Sequence, residues 1–216
     1  MSPVGNDIVD LCDPENRGKS RDRRFVARVF TAGEQERIAS AARPDALLWT
    51  LWAAKEAAYK AFSRGAPEIA SIPKLYQVSF EGEAAFADPA DAALPFKLTG
   101  RVMAPPGELA LRVHVTDRYV HALAAATPDT LAGVRWGVLQ IDTTRPAEDT
   151  PALARRGLLA EIAARTGCPA GALEIRRGSV GPGAPVVFCG DRLVTAALSL
   201  SHDGRFAAFA LDAAAL

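Results

Sequence analysis

A few short stretches of this 216-residue chain carry residues whose types and spacing could do chemistry. In "VGNDIVDL" Asp7 sits within an apolar, strand-like run. A carboxylate there must be paired or used, because an unpaired buried charge is costly; metal binding is one solution. In "LWTLWAAKEAAYKAF", Leu48 to Phe62, Glu56 is a second carboxylate, on a helix. Two carboxylates together with substrate phosphates make a typical Mg²⁺ site. Glu56 and Lys60 are four apart and share one helix face. Lys55 lies about 100° round the helix, placed to reach the same ligand. Carboxylate for metal and ammonium for phosphate suit a polyphosphate, although Glu56–Lys60 taken alone is better explained as an ordinary surface salt bridge. In "SLSHDGRF", Ser201 and His202 precede a tight turn. Hydroxyl, imidazole and backbone N–H are able to grip a phosphate there; a structural or surface histidine is the commoner alternative. The chain has no GxSxG elbow, no P-loop and no zinc-type His/Cys spacing, so the common hydrolase, NTPase and zinc chemistries lack support.

These residues need elements to hold them. Val4 to Leu11 reads as a strand, and Asp22 to Ala42 as a helix interrupted near Thr31–Gly33. Pro44 and Asp45 open the Glu56 helix, with Asp45 as N-cap and Gly65 as stop signal. Strand-like runs follow in "YQVSFEG", "FKLTGRVMA" and "LALRVHVTDRYVHALAAA", with "ADPADAALP" as a loop. A second unit begins near Thr130: the strand "VRWGVLQID", then an amphipathic helix opened by Thr150 and Pro151. Then come "GPGAPVVF", a turn into a strand, and a hairpin turned by Asp203–Gly204.

The two units end alike. Leu111 falls on Leu198, Val113 on Leu200 and Tyr119 on Phe206 when the two hairpins are superposed in sequence. Such a repeat points to two similar halves packed as a pseudo-dimer, in an α+β fold where each half is an antiparallel sheet with a long helix. Alternating hairpins in general look alike, which is the plainer account of so short a repeat. Residues 1–128 form the first half and 129–216 the second on this reading.

Composition narrows the class. Hydrophobic residues are 49% and charged ones 23%, as in an ordinary globular protein, and the formal net charge is zero. A general nucleic-acid binder would show a basic excess. The basic run "RGKSRDRRFVAR" is read as a solvated face. Cys12, Cys168 and Cys189 lack metal spacing and read as reduced thiols. No signal peptide and no membrane-length apolar run is present, so a cytoplasmic protein is expected.

Taken together, "VGNDIVDL", "FTAGE" and "WAAKEAAYK" resemble the signature of the 4′-phosphopantetheinyl transferases. These enzymes move the phosphopantetheine arm of coenzyme A onto a serine of acyl-, peptidyl- or aryl-carrier proteins. "SLSHDGRFAAFAL" resembles the family element in which Ser-His contacts the coenzyme's 3′-phosphate. "GPGAP" is similar to the Gly-x-Pro turn near the adenine, and "RRGLL" to a basic position meeting the same phosphate. The order of motifs is that of the small, trimeric holo-acyl-carrier-protein synthases. The length is that of the two-halved, surfactin-synthetase-activating type, here with the halves exchanged.

The resemblance implies Asp7 and Glu56 as ligands of Mg²⁺, or Mn²⁺ in its place. It implies Lys55, Lys60, Arg156, Gly183, Pro185, Ser201 and His202 as coenzyme A contacts. Glu56 and Lys60 would be catalytic, the carrier serine attacking the β-phosphate and releasing 3′,5′-ADP. Its proton goes to Glu56 or to a water on the metal, and the sequence does not choose. Val9 stands where the larger enzymes have another carboxylate. Ala184 stands where a Lys is frequent, with Arg176 and Arg177 nearby to compensate. The coenzyme is expected between the halves of a monomer, with apo carrier proteins as partners and neither nucleic acid nor membrane. A relative that binds coenzyme A or carriers without catalysis is one alternative; a different Mg²⁺-dependent nucleotide enzyme is another.

Overall fold

The computed structural model describes residues 4–66, 68–81, 86, 94–142, 149–178 and 184–216. The order of elements is β1 (Val4–Asp10), α1 (Arg23–Val29), α2 (Ala32–Ser40), α3 (Pro44–Ser63), β2 (Gln77–Glu81), β3 (Phe96–Ala104), β4 (Gly107–Val115) and β5 (Tyr119–Ala125). Then follow α4 (Pro128–Gly133), β6 (Val134–Gln140), α5 (Thr150–Thr166), β7 (Leu173–Arg177), β8 (Pro185–Cys189), β9 (Arg192–Thr195), β10 (Leu198–Asp203) and β11 (Phe206–Asp212). The fold is α+β with antiparallel sheets. A five-stranded sheet runs β1-β5-β4-β3-β2, and three-stranded sheets run β10-β11-β6 and β7-β8-β9.

The long helix α3 crosses β1 and β5. Ala53, Ala54, Ala57, Ala58 and Ala61 are fully buried, so the helix backbone comes close to the sheet. Gly5 completes the approach: a Cβ there would collide with the Ala57 carbonyl. Strand β1 is buried along its whole length because it is covered on both sides. Pleating sends Gly5, Asp7 and Val9 towards α3, and Asn6, Ile8 and Asp10 towards β10 and β11. Helix α5 packs Leu158 and Ile162 into a second core with Leu198, Phe209 and Leu211. The strand orders β1-β5-β4 and β6-β11-β10 correspond, each a hairpin flanked by an earlier strand paired to its second arm. At the two hairpin turns Tyr119 and Phe206 meet, their ring centroids 5.0 Å apart.

Several local expectations are corrected. Asp45 is not the N-cap of α3. The cap position is Arg43, and the Asp45 carboxylate instead accepts from the N–H groups of Gly18 (2.6 Å) and Ser20 (2.8 Å). The β10–β11 turn is centred one residue later than expected, on Gly204–Arg205, since Asp203 pairs with Phe206; Gly204 takes a positive φ of 49°. Cys168 and Cys189 are not free thiols but a disulfide, because the fold brings the end of β8 beside the residues after α5, with Cα atoms 6.7 Å apart; Cys12 is free. Except for Leu94 and Pro95, the expected "ADPADAALP" loop lies outside the described residues.

Candidate active site

Asp7 and Glu56 come together because β1 and α3 touch. Lys60 Nζ lies 2.7 Å from Asp7 Oδ1, and Glu56 sits one turn earlier on the same helix face. Burial raises the pKa of Asp7. The Lys60 ammonium opposes that rise, and the charge of Asp203 adds to it. Burial also raises Glu56, and the neighbouring Asp7 charge raises it further against the pull of Lys60. Asp203 is likewise raised, chiefly by burial. Desolvated carboxylates thus outnumber the one ammonium between them, a charge deficit that suits a hard divalent cation.

Among the described residues no three His, Cys, Asp or Glu side chains gather closely enough to hold an ion by themselves. Mg²⁺ as a rule keeps several waters and takes only one or two carboxylates from a protein. Val9, the next β1 residue on the Asp7 face, is 3% exposed and belongs to the main apolar core. It offers no ligand.

A cavity of about 260 Å³ opens here, lined by Asp7, Asn16, Phe25, Trp52, His202 and Asp203 among others. His202 therefore borders the same cavity as Asp7, although it comes from the other end of the chain. Trp52 packs on Phe25, ring centroids 5.8 Å apart, and shapes one wall. The residues of β10 alternate. Ser199 and Ser201 face β1, where Ser199 Oγ accepts from Asn6 N (3.0 Å) and Ser201 Oγ accepts from Asn6 Nδ2 (2.9 Å). His202 points to the opposite face and is exposed. The hydroxyl and the imidazole therefore do not form one grip: Ser201 is buried and committed to the contact between sheets.

The expected role of Lys55 is also corrected. Its one-residue offset from Glu56 turns it into the protein, where it is 1% exposed. The ammonium pairs with Glu34 at 2.9 Å and donates to the carbonyls of Pro73 and Tyr76. Glu34 is fixed in turn by a capping box with Thr31, whose N–H donates to the Glu34 carboxylate (2.9 Å). The "FTAGE" stretch thus anchors the start of α2 to α3. Arg156 stands on the exposed side of α5, and its neighbours Leu153 and Ala154 pack on Ala207, the register partner of His202. Pro185 opens β8, while Gly183 lies outside the described residues.

A cluster unmarked by the sequence reading joins the sheets at the far end of β1. Arg205 clasps Asp10 through Nε (2.8 Å) and Nη2 (2.7 Å), and Asp203 accepts from Asp10 N (2.7 Å) and Asn16 Nδ2 (2.7 Å). Burial pushes the Asp10 carboxyl up, but the bonds from Arg205 and Cys12 prevail and hold it below its ordinary range. The only sequence signal was the two-residue alternation from Ile8 to Asp10, which is too common to mark a clasp.

The model of the 4′-phosphopantetheinyl transferase superfamily matches residues 3–122, more than half of the chain. The matched span contains Asp7, Glu34, Glu56 and Lys60. The chain belongs to the 4′-phosphopantetheinyl transferase superfamily. No curated protein matches it.

Proposed function

We propose that the protein is a holo-acyl-carrier-protein synthase-type enzyme that transfers the 4′-phosphopantetheine arm of coenzyme A to a serine of an apo acyl, peptidyl or aryl carrier protein. The observation that carries the reading is the desolvated pair Asp7 and Glu56 beside Lys60, at the edge of a cavity lined by Asp7 and His202. Asp7 and Glu56 would hold Mg²⁺. When bound, it offsets the charge of the diphosphate and of the departing 3′,5′-ADP. The carrier serine oxygen bonds to the β-phosphorus as the bond to 3′,5′-ADP breaks. Glu56, whose carboxyl pKa is raised by burial and by the Asp7 charge, or a water takes up the serine proton. Lys60 supplies fixed positive charge at the diphosphate. His202 offers an imidazole to the coenzyme, with Arg156, Pro185 and Gly183 as further contacts.

The cleft is formed within one chain, by residues 1–128 and 129–216. The matching strand orders of the two parts support their reading as related halves. A monomer is expected, and light scattering checks it: an obligate trimer would refute it.

Incubation with coenzyme A, Mg²⁺ and a panel of apo carrier proteins tests the function. A phosphopantetheine mass gain on a carrier serine is the expected result. Coenzyme binding without mass gain would mark a non-catalytic relative. Coenzyme cleavage without a carrier would mark a hydrolase.

A further inference from the structure

The β7-β8-β9 sheet is lightly held. Among the described residues it pairs with neither of the other sheets, so β7 and β9 are both edges. Pairing of β8 with β9 is irregular at Val187–Phe188. Strands of five, five and four residues make a sheet that depends on packing against a helix. Leu173, Val187 and Val194, one from each strand, supply that packing in the core beneath α5, beside Leu158 and Ile162. Arg64, just past the end of α3, adds a bond from Nη1 to the Ala196 carbonyl at 3.0 Å.

The Cys168–Cys189 bond ties this sheet covalently to the residue after the α5 cap, Gly167. Cys189 stands two residues beyond Val187 on β8, so both face the core, and their partners Leu173 and Ile175 on β7 continue that face. Val186 and Phe188 point the other way, into a cavity of about 840 Å³ whose opposite side carries Phe62 and Ile69. The disulfide therefore fixes the inner face of the strand whose outer face walls the cavity. It closes a separation of 21 residues, a restraint worth about a hundredfold against opening. Cys168 is buried, but Cys189 is half-buried, so an attacking thiolate has a sulfur to reach.

We propose that Cys168–Cys189 is a redox latch on the cavity wall, opened by a dithiol reductant. One thiolate of the dithiol bonds to the Cys189 sulfur as the disulfide breaks, and Cys168 leaves as a thiolate that takes up a proton. The reductant's second thiol then displaces the Cys189 sulfur, which takes up the other proton. Two electrons have passed from the dithiol, now a disulfide, to the chain. With the tie gone, β7 and β8 open locally from α5, while β1, α3 and β5 stay packed. The order of the wall then follows the thiol–disulfide state of the surroundings, whatever chemistry the Asp7 site performs.

Hydrogen exchange read by mass spectrometry on the full chain, air-oxidised and then treated with dithiothreitol, tests it. Alkylation in denaturant should label Cys12 alone before treatment and all three cysteines after treatment of the native protein. Reduction should speed exchange in β7 and β8 by roughly tenfold to a hundredfold, the restraint the closed loop provides, and leave β1 and β5 unchanged. The double variant Cys168→Ser, Cys189→Ser should match the reduced chain with or without dithiothreitol; if it does not fold, the comparison of the two states of the unaltered chain stands by itself. Three reactive thiols in the oxidised protein, or a bond that dithiothreitol cuts only in denaturant, would overturn the latch. So would exchange in β7 and β8 that does not change, or that rises equally in β1 and β5, since the bond would then be inert or a staple of the whole fold.

Discussion

On the proposed reading, Glu56 serves chemistry at the expense of stability. Burial and the Asp7 charge raise its pKa, so the folded chain holds that proton more tightly than the unfolded chain does. Its contribution therefore favours folding at acid pH and is lost as pH rises through the raised value. Glu56→Gln keeps the shape and removes the charge. In metal-free protein at pH 7 it should raise the melting temperature, while transfer falls at least ~100-fold, the low end of a general base's contribution. Calorimetry and the carrier mass assay read the two effects; a variant that melted earlier and turned over normally would contradict both. Lys55 is the opposite case, a motif residue whose work is structural. Lys55→Met strands the Glu34 carboxylate, 4% exposed, and should cost roughly 3–5 kcal/mol in urea denaturation. Adding Glu34→Gln should recover much of that. Lost coenzyme affinity at unchanged stability would instead return Lys55 to the site.

At the scale of elements, the site depends on how closely β1 lies on α3. Two glycines separate contact from mere composition. Gly5→Ala forces a methyl into the Ala57 carbonyl and should destabilise by about 1–3 kcal/mol or more, as overpacking does. It should also reduce transfer, since β1 can relieve the clash only by carrying Asp7 away from Lys60. Gly33→Ala, in α2 with open space around it, should stabilise by up to about 1 kcal/mol through helix propensity. Thermal melts of the pair decide this. Equal effects would show that the β1–α3 approach is looser than it stands here.

At the scale of the whole molecule, the Asp10–Arg205 clasp and the Asp203 carboxylate hold β10, the strand that carries His202, against β1. Arg205→Ala should therefore do two things. It should cost roughly 1.5–3 kcal/mol of stability, as loss of hydrogen bonds to a charged group does. On the proposed reading it should also weaken coenzyme A binding more than it slows a saturated turnover, because it shifts the strand that carries His202 rather than the helix that carries Glu56. Arg205→Lys should rescue part of the stability but not the two-pronged geometry. A variant with lowered stability and unchanged coenzyme affinity would confine the clasp to a packing role.

The sequence by itself determined the local matters: the α+β class, the start of β1 at Val4, the long helix carrying Glu56 and Lys60, and the family. Each follows from patterns a few residues long, because helix and strand periodicity and turn chemistry act over that range. Tertiary structure alone decided the direction of each side chain and its distant partner. Lys55 and Glu56 are neighbours in the chain, yet only the packing of α2 and the Tyr76 segment turned one into the core and left the other beside Asp7 and Lys60. Ser201 and His202 are adjacent too, and which of them would meet β1 depended on the face that β10 presents to it. The strands β7 and β9 were missed, being five and four residues long without clear alternation, and the Cys168–Cys189 bond went with them. Asp10 with Arg205, and Arg64 with Ala196, join residues more than 130 positions apart, a separation at which no periodicity survives and only the folded chain brings charges within reach.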